Sequence, residues 1–590
     1  MKHICTLVLF AAVTILFVVP RQLFAAGDTL VVYATPGNLD AVVNADTVAG
    51  GANAHKVYKL VSLDTTYIFD GSITSKSSIA IVGQLGSNGR PPCIQPHTHA
   101  DLTVPTTMFT LIGNNTTAQF KNLYLLGLST TNTTDAANGA NATAIQVSAD
   151  NVTLRVDNVV FDEWRAFAIG YNGKMDKFFI YNSKFRNMVD PTQQYIGEVI
   201  RNEWPGEVYS DTTVFKYNTM LCVNGYAAAP VTKYGQTYFE FSHNTVVYTF
   251  KNPFFIFNET NAKIENNIFY GTYAGGTNYQ ETPWWDNLWY GDADVGVISF
   301  EELNHANAKW FDPADSSNAK GDSLAELKRS ISVKNNTYFW PSGLTSFWTT
   351  LNDSARWTYP DPAHHDSLGF AWGDSIVTPV WMNSRTTRMF SNTTNWPGFT
   401  ESGNVNADPG FRSSISSAVL SGGTGYGIGL KGYILEIRGN TASTDRWGYQ
   451  RTSVGTAANW VPIWPLPEYT SGDLKTSSSV VGDPYWNTGT PTAVQQQPAS
   501  VPAKFELGNN YPNPFNPSTT INFTVDRNGP ATLKVYNTLG QLVMTVFEGN
   551  ALAHQVYNFN VNMDRFDSGV YFYRLEQGAR AITQKMILLN

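Results

Sequence analysis

The chain has 590 residues, of which 15% are charged and 13% aromatic, with 47 glycines, 29 prolines and a formal net charge of −8. That length exceeds one ordinary domain, and the aromatic content can fill a large core. The acidic balance gives no global attraction to nucleic acid or anionic lipid, and three cysteines are too few to define a fold.

At the N-terminus, Lys2 precedes an almost unbroken apolar run from Ile4 to Val19, then Pro20-Arg21 and the small residues Ala25-Ala26-Gly27. This is the layout of a secretory signal peptide over residues 1–26. Its removal takes away Lys2, Arg21 and Cys5, so the net charge moves to −10. Cys93 and Cys222 remain, either as one disulfide or as two buried thiols.

From about residue 30 onwards, short apolar runs are separated by Asn, Gly, Asp and Thr, which is strand rather than helix patterning. Helices are expected only at Ser323–Ser330 and Phe300–Ala308. A loose motif, apolar-x-apolar-x-x-Asn-x-apolar, recurs with its asparagines at 122, 158, 182, 218, 244, 267 and 336, at intervals of 36, 24, 36, 26, 23 and 69 residues. Intervals in the low twenties, lengthened where loops are inserted, suit the coils of a parallel solenoid. An Asn at each turn tolerates left-handed torsions, and stacked asparagines pass hydrogen bonds from coil to coil.

Two long stretches, about 271–330 and 340–400, interrupt the repeat and are rich in tryptophan. Residues 487–503 are rich in Pro, Gln, Thr and Ser and read as a linker. Beyond it, Thr520–Val525, Ala531–Tyr536, Leu542–Phe547, Gln555–Val561, Val570–Leu575 and Ala581–Leu588 read as short strands of a small Ig-like sandwich. The expected fold is therefore all-β: a right-handed parallel β-helix over 27–486, with an N-terminal cap, then a small Ig-like β-sandwich over 504–590.

Two resemblances bear on this layout. Leu507-Gly508-Asn509-Asn510-Tyr511-Pro512-Asn513-Pro514-Phe515, Leu533-Lys534-Val535-Tyr536-Asn537, Ser568-Gly569-Val570-Tyr571 and the terminal Lys585-Met586-Ile587-Leu588 occur in this order. They resemble the C-terminal sorting domain of type IX (Por) secretion cargo of Bacteroidetes-type bacteria. The resemblance implies export through periplasm and outer membrane, the type IX machinery as partner, and a secreted or outer-surface location. The coil pattern, with Tyr67-Ile68-Phe69-Asp70-Gly71, Asn406-Ala407-Asp408-Pro409-Gly410-Phe411 and Val481-Gly482-Asp483-Pro484-Tyr485-Trp486, resembles the pectate-lyase-like parallel β-helix superfamily, notably its secreted members. That resemblance covers about 30–486 and specifies architecture rather than activity.

No nucleophile elbow, phosphate loop, zinc-protease helix or dinucleotide fingerprint is present. All 16 tryptophans lie between Trp164 and Trp486. Most are expected to pack loops onto the solenoid. Trp164, Trp204, Trp284, Trp285 and Trp289 are the candidates for stacking on sugar rings. The charged set Glu163, Arg165, Arg186, Arg201 and Glu203 follows adjacent repeats and is the candidate catalytic group. A lyase needs a base and positive charge against an enolate, often from Ca²⁺, the one cofactor this chemistry would take; a hydrolase needs two carboxylates. A solvated, salt-bridged rim is the competing reading. His97-x-His99-x-Asp101 and Asp292-x-Asp294 are incomplete as metal motifs.

The function expected is binding of extracellular polysaccharide, with lyase-like cleavage as its extension. The alternative is a non-catalytic structural or adhesive surface protein that self-associates.

Overall fold

The computed structural model describes residues 28–589 apart from 35–38, 64, 102, 131–142, 191–195, 203–208, 229–236, 255, 257–258, 260, 279–294, 301–326, 328, 354–375, 422–427, 439–446, 450–452, 455–460, 463, 467–472, 475–480, 487–504, 511–512, 526, 528, 552–555 and 579. The expected signal peptide, linker and Phe300–Ala308 helix fall mostly or wholly outside those residues. So does most of Ser323–Ser330, whose last residue opens a strand. The chain divides into two compact units, residues 1–489 and 490–590.

The first unit is a parallel β-helix of three strand ladders. Ladder 1 begins at Thr29–Val32 and Val57–Leu60, passes through Lys174–Tyr181 and Tyr238–Ser242, and ends at Phe399–Ser402. Ladder 2 runs from Tyr67–Phe69 through Lys184–Met188 and Thr245–Thr249 to Val405–Asn406. Ladder 3 comprises Ile73–Ser75, Thr107–Leu111, Thr143–Val147, Phe167–Tyr171 and Glu198–Asn202. Period-two alternation turns one column of each strand inward. In ladder 1 that column is Val156–Ile180–Phe215–Phe241–Ile264–Val333, all fully buried. In ladder 2 it includes Phe161 and Phe185, whose rings stack at 4.9 Å. Each such side chain contributes about 1.5–3 kcal/mol by leaving water. Helix α1 (Leu39–Ala45) packs Leu39 and Val43 into this core near the first rungs of ladders 2 and 3.

The turn between ladders 1 and 2 refines the sequence repeat. The register aligns 122, 158, 182, 217, 243, 266, 335 and 403, and every one of these residues has a φ between 52° and 67°. Asn122, Asn158 and Asn182 occupy this left-handed position and reach solvent. Asn218, Asn244, Asn267 and Asn336 stand one residue later and are fully buried. The seven asparagines therefore do two jobs, not one. The buried four form a ladder closed by Asn404. Asn244 Nδ2 donates to Phe215 O (3.0 Å) and Asn267 Oδ1 (3.2 Å), and its Oδ1 accepts from the Asn218 backbone N–H (3.0 Å). Each rung repeats this pattern as far as Asn336 Nδ2 to Asn404 Oδ1 (2.8 Å).

The outward face of ladder 2 is covered by a helix inserted before the last coil and by the chain that follows that coil. Helices α2 (Ser342–Asp353), α4 (Ser413–Ser421) and α5 (Gly429–Arg438) bring Leu344, Trp348, Ile415, Val419, Leu430 and Ile434 onto Leu221, Val247, Tyr248 and Tyr270, with Trp447 and Trp486. Helix α3 (Ser384–Ser391) starts at the cap Asn383, which accepts from the Thr386 N–H. These helices were not expected, because Ser and Thr dominate the exposed faces of α2, α3 and α4, and two glycines interrupt α5. The apolar spacing 344/348/351 is helical all the same. Cys93 and Cys222 are both free and buried, the second of the two outcomes left open.

The second unit is the expected sandwich. A three-stranded antiparallel sheet (Glu506–Leu507, Ser518–Thr524, Val556–Asn562) and a four-stranded one (Gly529–Asn537, Leu542–Ala551, Gly569–Gln577, Arg580–Leu588) enclose Ile521, Leu533, Tyr573 and Met586. Tyr573 ties its opening segment: its hydroxyl donates to Gly508 O and accepts from the Asn510 N–H, both at 2.8 Å.

Candidate functional site

The predicted charged set falls on two flanks of the solenoid. On ladder 2, Asp162 and Arg186 are consecutive rungs of one outward column, paired at 3.0 Å and fully buried. Tyr124 donates a further hydrogen bond to Asp162 (2.6 Å). Glu163 occupies a left-handed turn position (φ 61°) and accepts from Asn187 Nδ2 (3.3 Å), whose Oδ1 accepts from the Tyr449 N–H (2.9 Å). The covering segment locks on at its far end. Asp483 sits over three successive rungs, accepting from Lys184 Nζ and Thr219 Oγ1 (both 2.6 Å) and donating its N–H to Thr245 Oγ1 (2.8 Å). Trp486 donates to the same Thr219 hydroxyl.

These positions correct three expectations. Trp164 is completely buried and donates to Leu125 O (2.9 Å), so it offers no face to a sugar ring. Arg186 and Glu163 are internal partners of the covering segment, since the outward face of ladder 2 is itself a core surface. Tryptophan is used in the same way elsewhere: Trp348, Trp381, Trp396, Trp447 and Trp486 are all buried. Glu203, Trp204, Trp284, Trp285 and Trp289 lie outside the described residues.

Arg165 and Arg201 stand apart. They belong to successive coils, Arg165 in the turn entering Phe167–Tyr171 and Arg201 within Glu198–Asn202, strands that pair in parallel. Each is held by a buried acid and still shows part of its side chain. Arg165 is 31% exposed and bound to Asp190; Arg201 is 20% exposed and bound to Glu198 at 2.9 Å. Burial pushes the Glu198 carboxyl up to about 7 against the pull of Arg201, and the Glu198 carboxylate raises Arg201 in turn. Two glycines make the room. Gly170 lies under Gln146, whose Oε1 would be 2.5 Å from a Cβ there, and Gly225 lies under Glu198, at 2.3 Å from its Cγ. Glu198 and Gln146 were not picked out from the sequence. The usable signal was a charged pair at i, i+3 inside an apolar strand, Glu198-Val199-Ile200-Arg201.

For metals, His97 Nδ1 pairs with Asp70 Oδ1 at 2.5 Å, while Asp101 accepts from Thr103. Among the described residues, no three His, Cys, Asp or Glu side chains converge to hold an ion. Asp292 and Asp294 lie outside them.

Residues 509–589 match the family described as the secretion system C-terminal sorting domain. That domain marks export by the type IX system, so the protein is secreted or held at the outer cell surface, and its C-terminal unit engages the type IX machinery. No curated protein matches the chain.

Proposed function

We propose that this secreted β-helix protein binds extracellular polysaccharide along the outward flank of ladder 3. The observation that carries the reading is the pair of partly exposed arginine side chains, Arg165 and Arg201, each fixed by a buried carboxylate on successive coils. An arginine fork held this way loses little freedom when it takes a carboxylate or hydroxyl group of a sugar. Gln146 adds an amide beside it. Glu198 is wholly buried, so it acts as the positioning residue for Arg201 and not as an acid that touches substrate. With Arg186 and Glu163 internal, binding is better supported than cleavage, and lyase chemistry stays the extension of this reading.

The test is a screen of the mature protein against pectate, alginate, glycosaminoglycan and neutral plant glycans, with and without Ca²⁺. Binding, unsaturated-product absorbance and reducing ends are followed together. Binding without turnover, weakened at least tenfold in Arg201→Ala, is the expected result. Absorbance and reducing ends rising together would establish a lyase; reducing ends without absorbance would establish a hydrolase. Neither binding nor turnover on any glycan would overturn the proposal in favour of a structural surface protein. That second reading draws support from the fully bonded asparagine ladder, which makes the solenoid a rigid rod.

A further inference from the structure

We propose that the outward face of ladder 1 is a second binding surface, one that takes an anionic polysaccharide lying along the solenoid axis. The proposal rests on the reading that the protein binds polysaccharide, but it uses a different face and different chemistry.

The register defines this face. One outward column runs Lys59–Val82–Lys121–Asp157–Tyr181–Lys216–Ser242–Glu265–Lys334, and the neighbouring column carries Arg155, Glu240 and Lys263. A third column adds Lys177. In a chain of formal charge −8 these three columns are net positive, with seven cations against three carboxylates. The carboxylates are already engaged. Asp157 pairs with Lys121 (2.7 Å), Glu240 with Lys216 (2.8 Å), and Glu265 accepts from Ser332 (2.5 Å).

Lys59, Arg155, Lys177, Lys263 and Lys334 have no carboxylate within ion-pair distance among the described residues. Lys263 is exposed, and Lys59, Lys177 and Lys334 are partly so. From Lys59 to Lys334 is eight strand spacings of about 4.8 Å, on the order of 38 Å.

Aromatic groups sit among these cations. The Tyr238 ring lies 6.0 Å from Lys263 Nζ, and Arg155 stacks over Phe179 at 4.7 Å. A row of partly exposed cations without carboxylate partners on an acidic protein favours an anionic partner with repeated charge, while the rings favour sugar over bare phosphate. A rigid parallel ladder fixes the spacing in advance, so a polymer with regular charges engages several lysines at once.

The test uses the full mature chain, its Lys177→Gln/Lys263→Gln/Lys334→Gln variant and the Arg201→Ala variant. Binding is measured to polygalacturonate, dextran sulfate and neutral dextran, at low and at physiological salt. The triple variant, with an unchanged melting temperature, is expected to bind both anionic glycans at least tenfold more weakly and to lose most of their salt dependence. A preference for one of them identifies carboxylate or sulfate as the recognised group. Unchanged binding in the triple variant would overturn the proposal. Tighter binding to phosphatidylglycerol vesicles than to either glycan would overturn it too, in favour of a lipid surface. If the parent binds no glycan, the polysaccharide reading falls as well. If Arg201→Ala loses binding and the triple variant does not, only the ladder 1 surface falls.

Discussion

Asn182 and Asn244 look alike in sequence and differ in what they hold. Asn182 takes a left-handed turn torsion at the surface, which glycine also accepts. Asn244 bonds buried backbone groups on either side, so removing it takes a partner from both the Asn218 N–H and Phe215 O. Asn244→Gly is expected to cost about 3 kcal/mol in chemical denaturation, whereas Asn182→Gly costs under about 1 kcal/mol. The turn was legible because asparagine serves both positions. The division of labour was not, since an offset of one residue needs the register. A second residue-scale effect concerns protons. Burial raises Glu198 to about 7 and Asp176 and Glu259 to about 8. Their folded forms hold protons that the unfolded chain releases near pH 4. The stability these groups add is full below that pH and is lost as pH rises through 7 to 8. Melting temperature should therefore fall from pH 5 to 8, and Asp176→Asn should flatten the slope. An unaltered slope in that variant would remove Asp176 from this account.

At the scale of elements, two features decide where the solenoid stops and what closes it. In the last rung, Glu401 stands in register with the inward column that ends at Val333, yet it is exposed. A charge at a core position deters another strand or another copy from stacking there. Gly403 ends the turn series, where a Cβ would come 2.3 Å from Asn335 Oδ1. Glu401→Ile is expected to produce concentration-dependent association in sedimentation, and a variant that stays monomeric would refute the blocking role. The covering segment closes the flank of ladder 2 through Asp483. Asp483→Ala strands the Lys184 ammonium in a buried site, and about 3–5 kcal/mol of stability should be lost in denaturant titration. The β-helix was legible from its coil pattern because inward columns and turns are local. The covering segment was not, because Lys184 and Asp483 are 299 residues apart and no periodicity links them. The same cause misplaced Arg186, whose outward column is covered by chain far downstream, whereas Trp164 turns into the solenoid's own core.

For the whole molecule, the chain divides into two compact units, and the domain that marks it for export lies in the second. A chain ending at Gly489 should keep the melting temperature of the solenoid and accumulate in the periplasm, as cell fractionation would reveal; a lowered melting temperature would show that the C-terminal unit supports the first. Ladder 2 also sets an order of events. Thr245 and Asp483 are 238 residues apart, so the rungs that receive Asp483 emerge long before it does. At roughly 5–20 residues per second, that is a delay of about 10–50 s. During it the flank at Leu221, Val247 and Tyr270 waits first for α2 and then for the helices that follow the last coil to cover it. Binding of a holding factor to the unfinished rod is the expected consequence, ending when the chain's own later segments take that flank.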